Sequence, residues 1–347
     1  MDLKTLIRSQ KVIGLSPMDG VTDEPLRLLQ TKIAKPDIIF TEFVSAEGIS
    51  RGGVKLYDQL LYSPEERPVI GQLFGKDPEA FYKSAAILCH LGFDGIDINM
   101  GCPAKTVTQH GSGAALIAKP DLAVSIIQAV KRGVDDYKTG RLTISDLGLN
   151  QKTLEVIGRN LKYTRYIPSL EIDPTVSVKT RLGVSEIITE KWLPVLLKCQ
   201  LDFVTVHGRT LKQAYSGSAD WHEIAKAVSL ANGTGTLIWG NGDIHNLAEA
   251  RQAFTNFGVA GVLIGRAALG NPWAFSDKIP DFRDRFDAAL LHSQLFSQIF
   301  PKRRFDPMRR NLLAYASGHP RAKSLREYLV HANSVNDLLL LEADFIN

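Results

Sequence analysis

The chain has 347 residues, 44% hydrophobic and 22% charged, with a formal charge of +4. This is ordinary globular composition and excludes a disordered, collagen-like or coiled-coil protein. No run approaches the roughly 20 apolar residues of a membrane span, and Met1-Asp2-Leu3-Lys4 does not open a signal peptide, so a cytoplasmic protein with no membrane partner is expected. Cys89, Cys102 and Cys199 form no Cys-x-x-Cys pair, which argues against a disulfide framework and against a bound metal. Charge is unevenly placed. Between Pro301 and Arg326 eight basic residues face one acid, Asp306, a net +7 that leaves the rest of the chain at −3.

In chain order, β-branched runs fall at Val12–Ser16, Asp37–Phe43, Pro68–Phe74, Gly95–Asn99, Thr175–Thr180, Phe203–His207, Thr236–Gly240 and Val259–Ile264. Amphipathic stretches lie between them at Glu24–Ala34, Pro78–Leu91, Asp121–Gly133, Glu186–Cys199, Asp220–Ala231 and Leu247–Phe257, while the second crossover, through Tyr57, is less regular. Eight strands with crossovers predict an α/β fold, a (β/α)8 TIM barrel over residues 1–275. Asp135–Pro174 is longer than an ordinary connection and reads as an insertion in that barrel. From residue 276 to 347 the pattern is all helical, with Phe282–Phe300, Asp306–Ala316, Ala322–His331 and Val335–Phe345 predicting a small bundle that carries the basic stretch.

Polar and glycine residues gather at the strand ends, on the face where such barrels hold their active sites. Gly240-Asn241-Gly242-Asp243 and Gly265-Arg266, after consecutive strands, fit a phosphate site where small residues let backbone N–H groups approach an anion. Either one alone is equally a tight turn. Lys179, Arg181, His207 and Arg209, with Gln72, would surround a flat, electron-rich ligand such as a reduced flavin. Cys89 and Cys199 sit in apolar helical surroundings and read as small core residues. Cys102, between Gly101 and Pro103 just past the fourth strand, is open to attack, ligation or proton donation, and donation needs the fewest partners.

At these positions the sequence resembles the tRNA-dihydrouridine synthase family. The resemblance is carried by Ser16-Pro17-Met18-Asp19-Gly20-Val21-Thr22-Asp23, by Asn99-Met100-Gly101-Cys102-Pro103 with Lys105 and Val107, and by Lys179-Thr180-Arg181-Leu182-Gly183. His207-Gly208-Arg209-Thr210, Ala219-Asp220-Trp221, Gly240-Asn241-Gly242-Asp243-Ile244, Gly265-Arg266 and Gly270-Asn271-Pro272-Trp273 continue it in order. Singly each motif is short, but their succession is specific. The resemblance implies FMN held by Pro17, Met18, Gln72, Lys179, His207, Asn241, Gly242, Asp243, Gly265 and Arg266, with Cys102 as catalytic proton donor.

It further implies hydride transfer to C6 of a tRNA uridine, protonation at C5 and re-reduction of the flavin by NADPH or NADH. Asn99, Lys105, Arg181 and Arg209 would face the substrate, and Arg303, Arg304, Arg309 and Arg310 of the bundle would bind tRNA phosphates, in a monomer. No Gly-x-Gly-x-x-Gly follows the first strand, so the nicotinamide would meet the same flavin face as the uracil. Ser16 and Asp19 depart from the usual motif, and the 135–174 segment has no counterpart in compact members of the family. A flavin barrel acting on a free pyrimidine or enone, and an RNA-binding module on a barrel scaffold, are the competing readings. The basic bundle argues against the first and the intact Cys102 set against the second.

Overall fold

The computed structural model describes residues 2–346 except residue 215, and in it eight parallel strands close into a barrel. They are β1 Val12–Leu15, β2 Ile38–Ser45, β3 Val69–Phe74, β4 Gly95–Met100, β5 Thr175–Arg181, β6 Phe203–His207, β7 Leu237–Asn241 and β8 Gly261–Ile264. Each pairs with the next, and Val12 opposite Gly261 closes the ring. All eight predicted strands are present, with ends within two residues of those expected.

Parallel strands are buried on both faces, so their period of two sorts side chains between barrel axis and helices. Ile96, Ile98, Val176, Val178, Val204, Val206, Ile238 and Val262 join the cluster packed under the helices. The opposite set faces the axis. Near the bottom, Phe203 and Trp239 stack 3.8 Å apart with Phe40 edge-on to both, among Val12, Ile38, Ile70 and Leu263. A Cβ on Gly261 would lie 2.5 Å from the Trp239 ring, so only glycine leaves room for it. The helix Leu3–Ser9, capped by the Asp2 carboxylate on Thr5 N–H, inserts Leu3 and Ile7 into the same cluster and closes the floor. Higher in the barrel the inward residues turn polar: Gln72, Asp97, Asn99, Ser177, Lys179, His207 and Asn241. A register shift in β2 between Phe40 and Phe43 re-aims Phe43 toward this upper end.

The helices at Glu24–Ala34 and Leu247–Phe257 have the predicted bounds. The one expected to end at Gly133 runs Pro120–Lys138 instead, because a Cβ at Gly133 would sit 2.4 Å from the Tyr82 carbonyl oxygen. That glycine allows close helix contact and is not a stop signal. The 135–174 segment contributes a second helix, Gln151–Thr164, which packs on the short 3-10 turn Val54–Leu60 of the second crossover. Thr153 Oγ1 donates to the Gly52 carbonyl at 3.0 Å, Asn160 Nδ2 to the Tyr57 carbonyl at 2.8 Å, and Tyr163 Oη to Glu24 at 2.5 Å. The second crossover is thus covered by a helix from the β4–β5 connection. Beneath it, buried Arg27 pairs with Glu66 at 2.7 Å, while burial and the Glu66 charge push the Glu24 carboxyl up to about 8.

The C-terminal helices are Phe282–Ile299, Asp306–Tyr315, Ala322–Leu329, Val335–Leu339 and Glu342–Ile346. The expected single helix Val335–Phe345 is therefore broken, and the break brings Glu342 to Arg283 at 2.7 Å and Asp344 to Arg321 at 3.1 Å. Phe286, Phe296, Met308, Leu312 and Tyr315 share one core with Leu28 and Leu29 of the first barrel helix and with Leu61. Near residue 275 the architecture changes while the packing continues. Replacing Asn160 by alanine should strip the buried Tyr57 carbonyl of its donor and cost about 1–3 kcal/mol in urea unfolding. Arg159→Ala, which removes a partly exposed pair with Asp58, should cost under about 1 kcal/mol.

Candidate active site

The C-terminal strand ends surround a cavity of about 950 Å³, within the range of cofactor pockets. Ser16, Pro17, Met18, Gln72, Asn99, Cys102, Lys179, Arg181, His207, Asn241, Gly242, Asp243, Gly265 and Arg266 all line it, together with Arg310 from the bundle. The barrel register brings them together: Asn99 lies opposite Lys179 across β4 and β5, and His207 opposite Asn241 across β6 and β7.

The site is rich in buried cations. Burial, with the neighbouring Arg181 charge adding to it, lowers Lys179 to about 8, which leaves it mostly protonated at neutral pH. Burial first, and the surrounding Lys179, Arg181 and Arg209 charges second, hold His207 far below the ordinary histidine range, so its ring is neutral. Asp97, wholly buried, is raised to about 6 by burial against hydrogen bonds from Ser177 and Gln72. For Cys102, burial pushes the thiol upward, so it carries its proton at neutral pH.

Two of the expected substrate contacts have structural duties. Arg181, 3% exposed, donates to the carbonyls of Gly101 at 2.6 Å, Thr210 at 3.1 Å and Ala214 at 3.2 Å. Arg209, 2% exposed, donates to the Ser216 and Gly217 carbonyls and to Asp243 at 2.5 Å. Both brace the loops beyond β4 and β6 and contribute charge from fixed positions. Asp243 sits between Arg209 and Arg266, the latter at 3.1 Å; burial works upward on its carboxyl, but the Arg209 hydrogen bond and the Ala219 N–H outweigh it and lower its pKa.

The glycine turns are built for close approach. Gly242 has φ +119 and Asp243 φ +53, and a Cβ on Gly242 would lie 2.7 Å from Ala219 Cβ and 2.9 Å from His207 Cδ2. At Gly265 the nearest atom to an added Cβ is 3.6 Å away, on Ser16, which leaves its backbone open toward the cavity.

Other expected contacts lie apart. Lys105 is exposed on the short helix Lys105–Thr108 and does not line the cavity. Arg303 pairs with Asp58 at 3.0 Å, Arg304 with Asp306 at 2.7 Å, and Arg309 with Asp306 at 2.9 Å and with the Ala332 carbonyl. The basic stretch is therefore divided, and of these four arginines Arg310 is the one at the pocket mouth, its charge opposing the upward effect of burial on Asp19. Asp97 escaped the sequence reading. Its signal was a carboxylate two residues before Asn99 in a strand that is otherwise apolar, hence on the same inward face. No group of three or more His, Cys, Asp or Glu residues is placed to hold a metal among the described residues, and no helix is long and apolar enough to cross a membrane.

A family model described as dihydrouridine synthase matches residues 14–159 and 170–345. Within the 135–174 segment the match takes in residues 135–159 and 170–174 and leaves out 160–169. A "Probable tRNA-dihydrouridine synthase" of Staphylococcus aureus (strain COL) is 31% identical over 340 residues, 95% of this chain and 92% of its own. The "Probable tRNA-dihydrouridine synthase 2" of Bacillus subtilis (strain 168) is 29% identical over 95% of this chain and 93% of its own. Among solved structures, a crystal structure of DHODH from Eimeria tenella in complex with ferulenol aligns at TM-score 0.40 and 15% identity, over 73% of this chain and 63% of that one, a likeness too weak to bear on function. With its motifs in order on one barrel face and the match spanning nearly its whole length, the chain belongs to the dihydrouridine synthase family.

Proposed function

We propose that this protein reduces uridine in tRNA to 5,6-dihydrouridine, using FMN and a nicotinamide reductant, NADPH or NADH. The observation that carries the reading is the meeting of a protonated thiol, Cys102, with the half-buried cation Lys179 and an open glycine turn in one cavity. FMN fits this donor set. Gln72 would meet the polar edge of the ring, Lys179 and His207 its electron-rich side, and Pro17 and Met18 its apolar surface. Asn241, Gly242, Asp243, Gly265 and Arg266 would hold the phosphate end through backbone N–H groups and the guanidinium. FMN in its reduced form supplies the hydride taken up at C6 of the uracil.

The chain's own residues do the rest. Lys179 offers a partly buried positive charge, with Asp97 nearby, where the ring region is electron-rich. Cys102 delivers the proton from Sγ to C5; its raised pKa keeps that proton available at neutral pH. Arg181, through the Gly101 carbonyl, and Asn99, through the Gly101 and Cys102 N–H groups, hold the loop that carries the thiol. The target base must leave its stack to enter a pocket this deep, and Arg310 stands at the mouth for the flanking phosphates.

Mass mapping of dihydrouridine in tRNA from cells with and without the protein tests the activity directly; identical maps would reject it. Cys102→Ala should lower dihydrouridine formation about 10²–10⁴-fold, the usual worth of a positioned general acid, while NADPH still bleaches the flavin. Stopped-flow absorbance separates the two half-reactions, and equal loss of both would remove the acid role. Lys179→Met should lower the midpoint potential of bound FMN, and the gap from wild type should narrow as pH rises past the lysine's pKa. That value is about 8 in the free protein and higher beside an anionic ring. Spectroelectrochemical titration from pH 7 to 10 checks it; a gap independent of pH would mean the lysine acts by shape.

A further inference from the structure

Below the cavity runs a chain of side-chain hydrogen bonds whose direction is fixed at both ends. Asp97 lines no part of the pocket and is fully buried on β4. One of its oxygens accepts from Ser177 Oγ at 2.6 Å and the other from Gln72 Nε2 at 2.6 Å. Gln72 Oε1 accepts from Asn99 Nδ2 at 3.0 Å. Asn99 Oδ1 accepts from the N–H groups of Gly101 at 3.0 Å and Cys102 at 2.8 Å.

An isolated amide side chain can turn end for end with little penalty. Here neither amide can. An ionised carboxylate only accepts, which requires Nε2 of Gln72 on its side; backbone N–H groups only donate, which requires Oδ1 of Asn99 on theirs. The two requirements agree through the Gln72–Asn99 bond, and reversing either amide would set oxygen against oxygen at one end and nitrogen against nitrogen at the other. Unpaired groups at such depth are costly.

We propose that Asp97 is a positioning residue for the reaction: acting through Gln72 and Asn99, its carboxylate fixes the orientation of both amides and thereby the backbone of the loop that carries Cys102. The significance of that loop rests on the functional reading above. The same orientation decides which polar atoms Gln72 has left for a ligand on the pocket side. Asp97 touches neither cavity nor thiol, so its hold on the Cys102 loop passes through its hydrogen-bond partners, beside the field its charge exerts on Lys179.

The chain can be reversed without changing composition. In Asn99→Asp a carboxylate still accepts from the loop N–H groups, but its other oxygen faces Gln72 Oε1, and turning Gln72 around sets that oxygen against Asp97. Adding Asp97→Asn resolves the conflict. Gln72 Nε2 then donates to residue 99, Oε1 accepts from the new amide at 97, and Ser177 donates as before. The charge moves two residues along β4 and remains beside β5, where Lys179 lies opposite position 99.

The readout is the alkylation rate of Cys102 by iodoacetamide in cofactor-free protein, with Cys89→Ala/Cys199→Ala as the common background. N99D should raise the rate at least about tenfold, corresponding to about 1.4 kcal/mol of lost loop order. D97N/N99D should return it to within about threefold of the background protein. Multiplicative effects of the two substitutions, or no change in N99D, would overturn the proposal. If N99D fails to fold, recovery of a cooperative melting transition in the double variant is the rescue, and failure of both overturns the proposal equally. Dihydrouridine formation is measured separately: rescue of the alkylation rate while even the background protein makes no dihydrouridine would reject the functional reading and leave the hydrogen-bond chain standing.

Discussion

A closed barrel of parallel strands turns every second side chain toward its axis, and those side chains must either pack without water or pair their polar atoms. This protein does the first below and the second above. The Phe203–Trp239 stack and the Leu3–Ser9 helix fill the lower half with apolar side chains. Polar inward residues gather above it, with Gln72, Asn99, Lys179, His207 and Asn241 lining the cavity and Asp97 and Ser177 beneath them. The cavity is a consequence of where the aromatic filling stops.

Within that layer the positive charge is held by bonds to backbone. Arg181 and Arg209 are tied to loop carbonyls, and Arg209 also to Asp243, so they shape the potential from braced positions. Lys179 has Asp97 as a nearby acid, and His207 stays neutral first because it is buried and then because Lys179, Arg181, Arg209 and Arg266 would repel a further cation. A site of this kind favours an anionic or electron-rich partner before that partner arrives, which is the economical arrangement for stabilising developing negative charge.

How far the sequence could be read follows from the kind of signal each feature leaves. The strands were legible because β-branched runs of four to eight residues between polar turns are a local pattern, and the glycine and cysteine motifs were legible because they sit at strand ends. The helix Gln151–Thr164 could be seen as surplus, but its place could not, since packing on the second crossover depends on contacts a hundred residues distant, such as Asn160 with Tyr57. Arg181 and Arg209 look like ligand contacts by type and position; only the carbonyls around them reveal bracing. The bundle's charge run was visible, yet Arg303 and Arg309 find acids and carbonyls in the fold, which a count of charges does not register. Asp97 left a faint trace, a lone acid in an apolar strand, which becomes meaningful once the inward face is known.

The borrowed cover of the second crossover also bears on how the chain can be made. Strands β1 to β4 are complete by residue 100, but the outer side of the β2–β3 crossover is closed by Gln151–Thr164, after β4 and its long helix. A nascent chain ending anywhere before about residue 164 therefore presents an unfinished apolar flank, together with an unpaired edge awaiting β5. Such half-barrels expose surface that invites association with other chains. Because the covering helix belongs to the same connection that begins with the Cys102 loop, one stretch of chain both closes that flank and carries the thiol to the barrel mouth.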